Sequence, residues 1–149
     1  MTRNMKDATF DYAMLMSDGV LCAASAPAEV GAAAKIINLG AAVRIDGRVM
    51  VDITVMDVGD NDELDDIVVQ GSSSSTFGAA IQNLGQLSVG SAGGHTTRGD
   101  GAALDVVGHY EIAFTNEQNG TSYRYLRLYN IITGTNTGIT YVAHCALKA

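Results

Sequence analysis

The chain has 149 residues, one domain's worth by length, and carries nine basic against sixteen acidic side chains for a formal net charge of −7. That balance argues against nucleic-acid binding through a basic patch, because phosphate backbones demand positive potential. No apolar run approaches the roughly 20 residues of a membrane-spanning helix, and no N-terminal segment has the order of a secretory signal. Charged residues are only 17% of the chain, which fits a sheet protein with tight turns and much surface turned away from water.

Residues 1–9 read as an N-terminal arm: Arg3 and Lys6 make the first six residues +2 against −9 for the rest. The domain is expected to span 10–149. Phe10, Tyr12, Met14 and Met16 alternate as in a strand laid on an apolar surface. Asp18-Gly19 marks a turn before the apolar stretch 20–26. Gly31 and Gly40 bracket Ala32-Ala33-Ala34 too closely for a stable helix, so 35–39 reads as a strand. The clearest strand is 50–58, with Val51, Ile53 and Val55 on one face and Asp52, Thr54 and Met56 on the other. An acidic loop follows, then a strand at 67–70. The run 71–76 has linker composition but is too short to divide domains. Further strands are expected at 86–89, 102–107 and 109–115, the last with Tyr110, Ile112 and Phe114 inward, and a long glycine-rich loop at 90–101. Asn119-Gly120 signals a tight hairpin into a strand at 122–132, and 139–147 closes the list. Eight or nine strands without a convincing helix predict an all-β fold, a β-sandwich or jelly roll.

Candidate chemistry is thin. Asp57, Asp60, Asp62, Glu63, Asp65 and Asp66 supply oxygens of the kind calcium takes, but their spacing does not fit the twelve-residue calcium loop. The alternative is a solvated loop whose charges keep edge strands from aggregating. His95, His109 and His144 with Cys22 and Cys145 show no zinc spacing, and His144 and Cys145 point to opposite faces of one strand. The two cysteines read as reduced, buried thiols of a chain made in the cytosol. No Gly-x-Ser-x-Gly elbow or carboxylate pair nominates a hydrolase, so no enzyme activity, cofactor, metal or small-molecule substrate is expected. Arg98-Gly99-Asp100 matches an adhesion tripeptide but is explained equally by a glycine-rich turn. Tyr123, Tyr125 and Tyr129 alternate with Arg127 on one face of a strand, with Leu126 and Leu128 on the other. Tyrosine and arginine together favour interfaces; an ordinary half-buried strand or a sugar-binding platform would use the same pattern.

The order of these features resembles a family of tailed-bacteriophage capsid cement (decoration) proteins. The resemblance runs through Lys35-Ile36-Ile37-Asn38-Leu39-Gly40, the strand Val51–Val55, the acidic loop, Ile67-Val68-Val69-Gln70-Gly71-Ser72 with Phe77, Tyr123-Arg124-Tyr125-Leu126-Arg127-Leu128, Gly134-Thr135 and a last strand. It covers roughly residues 10–147. Asn38 stands where the family pattern has an acidic residue, and the loop at 90–101 is long for it. The resemblance implies a jelly-roll protein of the virion, made in the host cytoplasm. It would bind the outside of an icosahedral head over joints between major capsid protein subunits, as a homodimer or homotrimer, without contact to nucleic acid or membrane. Arg3, Lys6, Phe10 and Tyr12 of the arm, and Tyr123, Tyr125 and Arg127, are the expected capsid or subunit contacts. The alternative function is a carbohydrate-binding jelly-roll module of a host-recognition apparatus.

Overall fold

The computed structural model describes residues 12–91 and 105–148, Tyr12 by its backbone alone. Thirteen strands account for nearly all regular structure among them. In chain order they are β1 (Leu15–Asp18), β2 (Ala26–Pro27), β3 (Glu29–Val30), β4 (Ala33–Ala34), β5 (Ile37–Asn38), β6 (Asp46–Met56), β7 (Leu64–Ser72), β8 (Gln82–Val89), β9 (Gly108–Thr115), β10 (Glu117–Gln118), β11 (Thr121–Ser122), β12 (Tyr125–Thr133) and β13 (Ile139–Lys148).

Two antiparallel sheets carry the fold. The first has the order β1-β13-β6-β9, the second β2-β12-β7-β8, with β5 continuing the β2 edge against β12. Period-two alternation supplies the core from both: Val49, Val51 and Ile53 of β6, Ile139, Tyr141, Ala143 and Cys145 of β13, Ile67 and Val69 of β7, and Leu126 and Leu128 of β12 meet in one apolar cluster. The eight principal strands (β1, β2, β6, β7, β8, β9, β12, β13) pair in a nested way. The first lies against the eighth, the second against the seventh, the third against the sixth and the fourth against the fifth. Connections 19–25, 57–63 and 134–138, with residues 90–91 and 105–107, therefore gather at one end, and 39–45, 73–81 and 116–124 at the other.

Several expectations are corrected. Tyr12–Met14 form a 3-10 turn rather than strand, and β1 starts only at Leu15. The strand expected from residue 50 begins at Asp46. Val55 does not join Val51 and Ile53 in the core. A bulge sets Val55 opposite Thr140 and Ile53 opposite Tyr141, so Thr54 is the extra residue. Val55 is thereby turned out to 55% exposure, while Met56 packs on the core. The segment expected as one strand over 122–132 is split, because Tyr123 and Arg124 leave the ladder between β11 and β12. Asn119 (φ 51°) and Gly120 (φ 76°) make the tight turn of the β10–β11 hairpin as expected.

Candidate interaction surface

The outer faces of the two sheets differ in chemistry. That of the first sheet carries Asp46, Arg48, Asp52, His109, Glu111, His144 and Lys148, with the ion pair Arg48–Glu111 at 3.0 Å and His109 Nδ1 lying 3.5 Å from Asp52 Oδ1. This is how a solvated face is built. On the strands of the second sheet only Asp66 and Arg127 are outward acidic or basic side chains, and both are engaged internally. Ser88 Oγ donates to Asp66 at 2.5 Å and Gln86 Nε2 at 3.0 Å.

Arg127 is the centre of that second face. Its Nε donates to Gln70 Oε1 at 2.9 Å, and its guanidinium lies 4.3 Å from the ring centroid of Phe77 and 5.1 Å from that of Tyr129. Burial lowers its pKa below the ordinary arginine value, partly opposed by Tyr129. Arg124 repeats the theme at the strand's start, donating to Asn38 Oδ1 at 2.9 Å and lying 5.4 Å from the Tyr125 ring. Val68 and Phe77 are buried there although neither belongs to the core cluster between the sheets. The face thus has its own small apolar layer beneath stacked Arg and Tyr side chains.

Phe77 reaches this position through the serine-rich run, which is an ordered loop and not a linker. Ser72 Oγ donates to Ala79 O (2.8 Å) and accepts from Ser74 N (3.0 Å), and Phe77 N donates to Ser74 O (3.2 Å). Phe77 itself sits at φ 54°. No periodicity marks a residue delivered in this way, so sequence reasoning could assign Phe77 only its place in a family-like string.

Of the residues expected to make contacts, Tyr125 and Arg127 come together on this face with Tyr129. Tyr123 does not. It lies off the ladder, its N donating to Asn116 O at 2.8 Å, and packs so closely over Gly71 that a Cβ there would meet its own Cβ at 2.9 Å. Tyr12 contributes backbone to the 3-10 turn, and Arg3, Lys6 and Phe10 lie outside the described residues, as do His95, Arg98-Gly99-Asp100 and residues 102–104; residues 105–107 of the strand expected at 102–107 are not strand, and β9 begins only at Gly108.

The acidic segment is not simply solvated. Asp57 accepts from Thr137 N (2.9 Å) and Oγ1 (2.8 Å), and Asp62 from Thr135 N (3.0 Å) and Oγ1 (3.1 Å). Asp65 accepts from Asn136 Nδ2 at 2.8 Å, and buried Glu63 accepts from Asp60 N and Ser91 Oγ. These carboxylates clamp the β12–β13 connection to the β6–β7 connection. Among the described residues no three His, Cys, Asp or Glu side chains are grouped to hold a metal ion. His144 lines a shallow depression on the first sheet with Asp52 and His109, whereas Cys145 faces the core.

One carboxylate carries a pH signature. Burial pushes Asp65 up to about 6, against the partial relief of its Asn136 bond, and its Oδ2 is buried without a partner. The folded state therefore binds this proton more tightly than the unfolded chain. Its contribution to stability is full below the ordinary aspartate value near 3.8 and is lost as pH rises through about 6. The hydrogen bonds on Asp57 and Glu63 lower theirs, so those groups act in the opposite sense at more acid pH. The urea midpoint should fall between pH 5 and pH 7, and Asp65→Asn should flatten that slope. An unchanged slope in the variant would remove Asp65 from the account.

A crease where the chain passes between sheets holds a cavity of about 280 Å³ lined by Cys22, Ala24, Pro27, Asn130 and Tyr141. Tyr141 Oη donates to Asn130 Oδ1 at 2.5 Å, and Cys22 Sγ to Ala24 O at 3.1 Å. Cys22 is half-buried rather than buried, and burial raises the pKa of both thiols, that of Cys145 up to about 12.

These features define an all-β sandwich with one charged and one aromatic–amide outer face. No protein-family model matches the chain, and comparison with curated proteins finds no match.

Proposed function

We propose that this protein is a structural component of a virion, a cement protein that binds the outside of an icosahedral phage head across joints between major capsid protein subunits. In this reading the sandwich is a jelly roll. The nested pairing of its eight principal strands supports that, since an eight-strand double Greek key of the jelly-roll type is a long hairpin folded over on itself. The observation that carries the functional reading is the contrast between the two outer faces. A broad sheet surface of Tyr125, Arg127, Tyr129, Gln70 and Gln86, whose charged groups Arg127 and Asp66 are already held by neutral hydrogen-bond partners, is suited to being covered by another protein. Many copies acting together need only modest affinity each. The cement role calls on no cofactor, metal or small-molecule substrate, and places self-association beside capsid binding.

The carbohydrate-binding reading has less support, because the Arg127 guanidinium already stacks on Phe77 and lies by Tyr129, where a sugar would need open rings. Co-sedimentation with purified heads decides between them. A cement protein should saturate heads at a high, fixed copy number, and Arg127→Ala with Tyr129→Ala should reduce occupancy at least tenfold. Binding to a glycan array with no retention on heads would overturn the proposal.

A further inference from the structure

The described arginines fall into two kinds. Arg44 and Arg48 lie against carboxylates, those of Asp46 at 3.7 Å and Glu111 at 3.0 Å. Arg124 and Arg127 meet no carboxylate among the described residues, although acidic side chains outnumber basic ones sixteen to nine in the chain. Each instead gives its Nε–H to a neutral amide oxygen, Asn38 Oδ1 or Gln70 Oε1, and lies over a tyrosine ring. Two guanidinium groups on one face therefore keep a positive charge that no ion pair answers.

Register builds this arrangement. Arg127 stands directly opposite Gln70 of β7. Gln70 is itself oriented, because its Nε2 donates to Asn83 Oδ1 at 3.0 Å and leaves Oε1 for Arg127. With Phe77 and Tyr129 against the guanidinium, only the two Nη groups remain unspent. Among the described residues no acceptor meets the Nη atoms of Arg124 or Arg127. Neither pair is buried without a partner, so both edges open to the surface. Asp66 is the outward acid of these strands, but it stands opposite Ile131, four positions from Arg127 along β12, and is taken by Ser88 and Gln86. A guanidinium anchored at Nε and stacked on rings offers the paired N–H bonds that match the two oxygens of a carboxylate. It also has little side-chain freedom left to lose on binding. Single charges on an amide and aromatic surface suit single carboxylates, whereas a polyanion would be repelled by a net charge of −7.

We infer that Arg127, flanked by Arg124, is a receptor for carboxylates of the protein that covers this face, so that the partner places Asp or Glu side chains over the two guanidinium edges. This rests on the face chosen in the cement reading and adds the chemistry of the capsid protein's side. The test is run without heads, so the two fail separately.

The probe is a blocked tetraglutamate peptide, titrated into the isotope-labelled full chain while the Nε–H resonances of Arg124 and Arg127 are followed by NMR. Blocked tetraglutamine, glucuronate and methyl phosphate are the comparison ligands. Tetraglutamate should shift the Arg127 resonance saturably, and that of Arg124 with it, more weakly at high salt. Tetraglutamine should leave both in place. Gln70→Glu keeps Arg127 but gives it a carboxylate of its own, and should weaken tetraglutamate binding about tenfold or more. Arg127→Lys keeps the charge but loses the planar fork, and should weaken binding, followed at Arg124, by about the same factor. Absence of a saturable shift, an equal response to tetraglutamine, or full-strength binding by either variant would overturn the inference. Tighter binding of glucuronate or methyl phosphate would overturn it as well, because the receptor would then not be one for acidic protein side chains. If a thermal melt shows Arg127→Lys unfolded, Gln70→Glu decides alone. Binding of tetraglutamate by a chain that heads do not retain supports the inference and removes the cement reading.

Discussion

Asn116→Asp should be the most damaging conservative substitution in the molecule, lowering unfolding free energy by about 3–5 kcal/mol at pH 7. Asn116 is fully buried just after β9 and closes three gaps with one amide. Its Oδ1 accepts from Ile45 N at 2.7 Å, and its Nδ2 donates to Val43 O at 2.8 Å and Tyr123 O at 3.0 Å. Its backbone is held as well, N to Ile45 O at 3.1 Å and O from Tyr123 N at 2.8 Å. Aspartate keeps the acceptor but sets a carboxylate against two carbonyl oxygens in a site closed to water. Burying an unpaired charge against like partial charges is among the few mechanisms that produce effects of this size. Urea unfolding at pH 7 and at pH 4 checks it, since protonation should restore part of the loss. A change under about 1 kcal/mol would mean the 39–45 connection repacks freely.

Gly134→Ala should cost about 3–4 kcal/mol, well beyond Gly120→Ala at about 1 kcal/mol. Both glycines occupy the left-handed region, at φ 86° and 76°. A Cβ on Gly120 meets nothing within 4 Å, so only backbone strain is added. A Cβ on Gly134 would lie 2.1 Å from Asp62 O, forcing apart the strap that Asp62 and Thr135 hold closed. Backbone cannot move aside as a flexible side chain does, so the two strands leaving this connection must shift with it. Paired denaturant melts of the two variants separate strain from collision. Equal losses would show that the Asp62 connection yields.

Strand identity was legible where alternation is long. In β6, β9, β12 and β13 the apolar residues recur every second position, and Ile112, Phe114, Leu126 and Leu128 lie where that pattern places them. The β6 bulge was not legible, because a single inserted residue leaves composition untouched while reversing the facing of Val55 and Met56. Spacing picks out Tyr125 and Arg127 but also places Tyr123 in the same row, because the break at 123–124 has no proline or glycine to mark it. Phe77 and Asn116 act through loop geometry, which depends on partners some 50 to 70 positions away. The acidic segment showed charge but not its use. That Asp57 and Asp62 each take a threonine of the β12–β13 connection follows from strands folding back beside one another, not from the run itself.

The position of β13 governs when the protein can fold during synthesis. It lies inside the first sheet, between β1 and β6, yet it is translated after all the other strands of this sandwich. Until about residue 148 has cleared the ribosome, β1 has no neighbour, the inner edge of β6 is bare, and the places of Ile139, Tyr141 and Ala143 in the core stand open. The second sheet meets the same delay through β12. Until then the emerging chain offers unpaired strand edges, and the complete sandwich depends on distant pairings.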